Sequence, residues 1–195
     1  MVKEKKTDTY TLVLGAILTA LVIVLQFMGS FIKFGPFSIS LVLIPIVIGA
    51  ATCSKKIGAW LGLVFGLVVL ISGDAALFLA VNVPGTILTV LLKGALCGYV
   101  AAICYGVIEK YNKYVAVVVA AIVCPVVNTG IFLIGCYMFF MDTVSGWAQA
   151  AGFDGGVGRY MIFVLVGVNF LFELGINIVL SPVIVRILNI FKNKK

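Results

Sequence analysis

The stretch NVPGTILTVLLKGALCGYVAAICY, residues Asn82–Tyr105, is an apolar run long enough to cross a membrane, and a single charged side chain, Lys93, lies inside it. An ionised lysine near the centre of a membrane-spanning helix costs about 2.5–3.5 kcal/mol on insertion scales, so this residue is expected to face protein, water or a ligand. At helical spacing the lysine shares one side of the helix with Asn82, Thr86 and Thr89. This polar stripe predicts one wall of a binding pocket.

The composition places the whole chain in a lipid bilayer. Of the 195 residues, 63% are hydrophobic and only 11% are charged, and the mean hydropathy is +1.25. Soluble globular domains are normally about 45–50% apolar. The apolar runs lack the alternating pattern of barrel strands. The sequence therefore predicts an all-α integral membrane protein with no soluble domain.

Six apolar runs are predicted to be transmembrane helices of a single membrane domain that covers residues 1–195. The first run is expected to be a retained helix, because it is longer than the about 7–15 apolar residues of a signal sequence. The predicted spans are 10–28, 37–52, 57–72, 84–108, 114–141 and 160–190.

The distribution of basic residues predicts the orientation. The formal net charge is +7, but the basic residues stand at the ends of the apolar runs, which argues against a nucleic-acid partner. Of the 14 lysines and arginines, only Lys33 and Arg159 fall on the side opposite the termini, apart from Lys93 inside its span. An excess of basic residues marks cytoplasmic loops. Both termini are therefore predicted to be cytoplasmic.

Two further spans carry polar groups at a depth similar to that of Lys93. Glu173 in the sixth run and Asn128 in the fifth each lie about 20 Å from the outer end of the helix, at 1.5 Å per residue. The sixth run also repeats polar residues at intervals of four, which places them on one face. These patterns favour an outward-opening cavity for a small polar solute. The predicted substrate-binding residues are Asn82, Thr86, Thr89, Lys93, Asn128, Asn169 and Glu173.

Simpler interpretations of these polar residues stay open. Polar side chains in membrane helices often only hydrogen-bond to a neighbouring helix, and this structural role is expected for Asn177 and Ser181. Lys93 and Glu173 are also compatible with an internal ion pair that neutralises both charges.

Small residues recur on one face of three predicted helices, and such faces let two helix backbones approach closely. In the third and fourth runs, packing within the monomer is the expected role of Gly58, Gly62 and Gly66, and of Gly94, Gly98 and Ala102. In the first run, the role of the A-x-x-x-A pattern formed by Ala16 and Ala20 stays open.

The sequence shows no residues arranged for catalysis or metal binding. It has no histidine, and its five cysteines have no C-x-x-C spacing, so neither a metal site nor a disulfide framework is expected. It also has no nucleotide-binding G-x-x-x-x-G-K-[ST] loop, no zincin motif and no serine nucleophile elbow. An enzyme is not predicted, and no cofactor is expected. A pocket without an energy source indicates a binding subunit.

The chain resembles the substrate-binding S component of an energy-coupling factor (ECF) vitamin transporter. The resemblance covers nearly the whole chain and includes its length, six helices and cytoplasmic termini. The motifs that carry it are an A-x-x-x-A element in the first helix, a P-x8-K-G sequence in the fourth and an N-T pair in the fifth: Ala16 and Ala20; Pro84, Lys93 and Gly94; Asn128 and Thr129.

This resemblance implies a place in a larger transporter of a prokaryotic plasma membrane. Ala16 and Ala20 would match the face that meets the transmembrane coupling protein, which two cytoplasmic ATPase subunits drive. ATP hydrolysis would occur only in those partners. The vitamin would occupy an outward pocket formed by the fourth to sixth helices and the first outer loop, and a toppling of the S component would deliver it inward.

The ligand is predicted from Lys93, which suits a carboxylate and stands where riboflavin-type members carry a neutral residue. Pantothenate is therefore the first prediction and riboflavin the second. The alternative is a self-sufficient secondary carrier or ion channel in which Lys93 and Glu173 form a relay. A membrane-embedded enzyme would need a catalytic set that the sequence lacks.

Overall fold

Helices of very different length build the chain, as seen in a computed structural model that describes residues 9–31, 33–34, 37–38 and 41–192. The basic residues of the first eight and last three positions, which contribute to the orientation prediction, lie outside the described residues. The elements are α1 (Thr9–Ser30), β1 (Lys33–Phe34), β2 (Phe37–Ser38), α2 (Leu43–Thr52), α3 (Lys55–Ile71), α4 (Ala76–Leu79), α5 (Val83–Ile108), α6 (Lys113–Phe139), α7 (Met141–Ala150), α8 (Val157–Arg159), a π-helical segment (Tyr160–Leu165) and α9 (Gly167–Lys192).

Side-chain caps explain where three of the helices begin. Ser54 accepts a hydrogen bond from the Ile57 amide at 3.2 Å and starts α3 directly after α2. Asn82 accepts from the Gly85 amide at 2.9 Å, and Pro84 stands in the first turn of α5, where a missing N–H leaves no helical bond unmade. Asn112 caps α6 in the same way.

Four helices within the described residues are long and apolar enough to cross a membrane: α1, α5, α6 and residues 167–186 of α9. The predicted second span, 37–52, differs from the structure. Residues 37–38 form a short antiparallel strand pair with residues 33–34, and the helix covers only Leu43–Thr52. Ten helical residues reach about 15 Å, half of the hydrocarbon core. The predicted sixth span, 160–190, begins as a π-helical segment and is interrupted at Val166 before α9 starts.

The short helix α2 lies at the centre of the bundle. Helices α1, α3, α5, α6 and α9 pack in that order around it, and α2 contacts all five. Leu43, Ile46 and Val47 are fully buried. Because α2 is apolar on nearly every side, burial from all directions is the arrangement that its sequence favours.

Helices α3 and α5 touch through their backbones. A Cβ atom added at Gly62 would collide with the carbonyl oxygen of Gly94, and one added at Gly98 would collide with that of Gly58. One added at Gly66 would lie 2.8 Å from the carbonyl oxygen of Val90. These pairings run in opposite directions along the two helices, which are therefore antiparallel. The predicted close packing of the glycine faces within the monomer is confirmed.

This glycine contact predicts a position-specific loss of stability. In Gly62→Ala the added methyl group has no space, and overpacking should lower the free energy of unfolding by about 1–3 kcal/mol. Gly106→Ala is the matched control on α5, because nothing lies within 4 Å of an added Cβ there and alanine favours a helix. Thermal unfolding in one detergent, followed by circular dichroism, compares the two. Equal midpoints would contradict the packing argument.

Candidate substrate-binding site

A cavity lies in the half of the bundle that α2 does not fill. Residues of α2 stand at the level of Gly58 and Gly98, whereas the cavity begins further along both neighbouring helices, at Phe65 of α3 and Lys93 of α5. Its volume of about 80 Å³ is enough for several water molecules. The polar groups that line it are Gln26, Asp74, Thr86, Thr89, Lys93, Asn128, Thr129, Asn169 and Glu173.

The structure brings together six of the seven predicted substrate-binding residues. Thr86, Thr89 and Lys93 of α5 meet the polar residues of α6 and α9 around one space; the latter are Asn128, Asn169 and Glu173. Asn82 does not line the cavity, because its side-chain oxygen caps α5. The stripe on α5 therefore begins one turn further into the helix than the spacing alone indicated.

Lys93 enters the cavity between two aromatic rings. Its ammonium nitrogen lies 5.6 Å from the ring centroid of Phe65 and 5.3 Å from that of Phe132. Cation–π attraction of this kind is worth about 0.5–2 kcal/mol, depending on desolvation. Among the described residues, no carboxylate oxygen lies within 4.0 Å of this nitrogen, so Lys93 and Glu173 share the cavity without forming an ion pair. The ammonium is thus oriented by the rings and keeps its hydrogen-bonding capacity.

Glu173 is held on the opposite wall by its own helix. It is 2% exposed, and its Oε1 accepts a hydrogen bond from Asn169 Nδ2 at 3.2 Å. The residues that follow on the same face, Asn177 and Ser181, do not line the cavity and donate to backbone carbonyls of α9 at 2.7 and 2.8 Å. Helix α9 therefore carries a polar stripe, of which only the N-terminal part, Asn169 and Glu173, reaches the cavity.

Several oxygen atoms around the cavity are buried without a hydrogen bond. They belong to residues of α5, α6 and α9: Thr89 Oγ1, Asn128 Oδ1, Asn169 Oδ1 and Glu173 Oε2. A buried polar atom without a partner costs about 1–3 kcal/mol. Because all four accept hydrogen bonds, the cavity is suited to a molecule that brings hydroxyl or N–H groups.

Aromatic residues that the sequence pattern did not indicate cover the end of the cavity nearest to α4 and α7. Phe78 of α4 makes edge-to-face contacts with Phe132, Phe140 and Trp147, at centroid distances of 5.4, 5.1 and 5.6 Å. Trp147 belongs to α7, which lies almost entirely between the fifth and sixth predicted spans. Hydropathy gives no signal for such a layer, because its members come from three separate elements.

Asp74 is a further residue of the cavity that the sequence pattern did not indicate. Asp74 lines the cavity, and its Oδ2 accepts hydrogen bonds from Gln26 Nε2 at 2.7 Å, Ser30 Oγ at 2.6 Å and Ser72 Oγ at 3.0 Å. A signal existed, because Gln26 is an amide inside an otherwise apolar span and Asp74 is the single acidic residue between the third and fourth predicted spans. The sequence could not show that Gln26 and Asp74 are neighbours, because their proximity depends on the contact between α1 and α3.

Ala16 and Ala20 lie away from this cavity, on the exposed side of α1. The buried side of the helix is formed by Leu14, Leu18 and Val22. The A-x-x-x-A face therefore does not pack against another described element of the chain.

One comparison with known proteins found a match. The family model for the substrate-specific component of ECF transporters matches residues 10–185, which include every residue that lines the cavity. No curated protein and no solved structure matches the chain significantly. The chain belongs to the family of ECF transporter substrate-specific components.

Proposed function

We propose that this S component binds a carboxylate-bearing vitamin, with pantothenate the first candidate. The observation that carries the proposal is the Lys93 ammonium, which faces the cavity between two rings and has no anionic partner within 4.0 Å among the described residues. A carboxylate placed there would gain a charge-assisted hydrogen bond, worth about 1.5–3 kcal/mol. The ligand would thus supply the counter-charge.

The second polar requirement of the cavity also fits pantothenate. The unpaired oxygens on α5, α6 and α9 need hydrogen-bond donors. Pantothenate carries two hydroxyl groups and one amide N–H besides its carboxylate. A carboxylate without such donors would leave these oxygens unsatisfied and would bind more weakly.

Riboflavin is the second candidate, and the aromatic walls favour it. Phe65, Phe78 and Phe132 surround the cavity and offer ring surfaces to a flat heterocycle. Riboflavin has several hydroxyl groups but no carboxylate, so it would not use the charge of Lys93. The two candidates therefore differ in how strongly they depend on that residue.

The proposed topology has six membrane-embedded helices, α1, α2, α3, α5, α6 and α9, with both termini in the cytoplasm of a prokaryotic cell. The positions of Lys55, Lys56, Lys110 and Lys113 support it, since these residues flank the helix ends furthest from the cavity. The cavity would then lie in the outer half of the membrane.

The proposed partners are a transmembrane coupling protein and two ATPase subunits. Ala16 and Ala20 are exposed and small, which suits close approach of a helix from the coupling protein. Binding and coupling would thus use opposite sides of α1.

Replacing Lys93 tests the carboxylate assignment. Lys93→Ala should weaken pantothenate binding about tenfold to a hundredfold, the equivalent of one lost charge-assisted hydrogen bond. Lys110→Ala, at an exposed position just beyond α5, is the control and should bind like the wild type. Isothermal titration of the purified proteins in detergent measures both. Wild-type affinity in a folded Lys93→Ala protein would refute the assignment.

Enlarging the small residues of α1 tests the coupling face. The double variant Ala16→Trp, Ala20→Trp should stop uptake into cells that also express the coupling module, while the purified protein keeps its ligand affinity. Leu21→Trp is a matched control, because Leu21 is 45% exposed on another side of α1. If binding and uptake are lost together, the alanines support the fold of the S component itself.

Reconstitution separates this function from that of a secondary carrier. The alternative in which Lys93 and Glu173 form a relay gains some support from their position around one cavity without an ion pair. Proteoliposomes that contain only this chain should take up no pantothenate under a proton or sodium gradient. Gradient-driven uptake without any ATPase would establish the carrier instead.

A further inference from the structure

Gln26 and Asp74 form a second polar group in the cavity, separate from the one around Lys93. They come from α1 and from the segment that follows α3, whereas the other polar lining residues belong to α5, α6 and α9. The proposed function assigns no role to this pair.

The hydrogen bonds of Asp74 fix the orientation of the Gln26 amide. A carboxylate oxygen accepts hydrogen bonds, so the amide nitrogen of Gln26 must point at Asp74 Oδ2 and the amide oxygen must point elsewhere. Two serines, Ser30 and Ser72, donate to the same Oδ2 and anchor it from both sides. The amide is therefore held in one orientation before any ligand arrives.

The remaining oxygens of this pair receive no hydrogen bond from the part of the chain that the structure describes. Gln26 is 2% exposed, and its Oε1 is buried without a hydrogen bond. Asp74 Oδ1 accepts no hydrogen bond from the described residues, because all three of its donors use Oδ2. Gln26 stands in the cavity wall, so a ligand that donates a hydrogen bond could satisfy its buried, unused acceptor.

This pair lies at a different depth from Lys93. Gln26 stands about 6 Å from the last residue of α1, and Lys93 about 15 Å from the first residue of α5, at 1.5 Å per helical residue. Both of these helix ends are on the same side of the bundle, since Ser30 at the end of α1 contacts the segment between α3 and α5. Gln26 therefore lies closer to the end of its helix on this side than Lys93 does.

We propose that Gln26 and Asp74 form a second substrate subsite, which binds hydroxyl or N–H groups at the outer end of the ligand, opposite the group held near Lys93. The subsite sets specificity, because a ligand without a donor at that end leaves the buried Gln26 Oε1 unsatisfied. This inference rests on the proposed function in taking the cavity to be the vitamin site, but it does not depend on the carboxylate.

Two pairs of ligands test the subsite without any mutation. Each pair differs in hydroxyl groups alone: pantothenate against its analogue lacking both hydroxyls, and riboflavin against its analogue in which an unsubstituted pentyl chain replaces the hydroxylated side chain. Isothermal titration of the wild-type protein should show at least about tenfold tighter binding of the hydroxylated member, as expected for one or more lost hydrogen bonds to buried acceptors. Equal affinities within the pair that binds would overturn the proposal, and so would failure of all four compounds to bind.

A variant then assigns the effect to Gln26. Gln26→Met keeps the length of the side chain and removes its acceptor, so the preference for the hydroxylated member should fall by about twofold to tenfold. Thr19→Val is the control, because it removes a hydroxyl group from the same helix at a position that neither lines the cavity nor contacts Asp74. That variant should keep the wild-type ratio of affinities. A ratio unchanged in Gln26→Met, or equally reduced in both variants, would overturn the subsite.

Lys93→Ala in the same titrations separates this inference from the proposed function. If Gln26→Met lowers the hydroxyl preference while Lys93→Ala has no effect on affinity, the carboxylate assignment fails and the subsite stands. If Lys93→Ala weakens binding and the hydroxyl preference is absent, the subsite fails and the proposed function stands.

Discussion

An ammonium group in the middle of a membrane helix needs surroundings other than lipid, and most of the interior follows from that constraint. Lys93 points inward, and the rings of Phe65 and Phe132 approach it from α3 and α6. Phe65 reaches Lys93 because Gly62 and Gly66, which flank Phe65 in the sequence, bring α3 directly against α5. Close backbone packing and the environment of the charge are thus parts of one arrangement.

The space beside Lys93 exists because α2 is short. A helix of full membrane length at the centre of the bundle would fill the interior from one side to the other, whereas α2 ends after ten residues. The remaining half is lined by polar groups, several of them without hydrogen bonds. Each such group lowers the stability of the protein. Binding of a polar molecule in this space would explain why these groups are present.

Periodicity was sufficient to predict the walls of the site that lie on long helices. Thr86, Thr89 and Lys93 share a face of α5, and the same reasoning applies to Asn169 and Glu173 on α9. It failed for Asn82, because an asparagine two positions before a proline at a helix start has a competing local role as a cap.

Hydropathy and periodicity could not predict features that depend on tertiary contacts. Hydropathy showed that residues 37–52 are apolar but carried no information on where the helix begins, so α2 was expected to be longer than it is. Gln26 and Asp74 are 48 positions apart in sequence, and their hydrogen bond depends on how α1 meets the end of α3. The aromatic layer around Phe78 likewise joins α4, α6 and α7.

The backbone contact between Gly62 and Gly94 has a mechanical consequence. Where two helices touch through main-chain atoms, no side chain stands between them that can change rotamer and let them slide or separate. Helices α3 and α5 must therefore travel as one solid body during transport, carrying Phe65 and Lys93 with them.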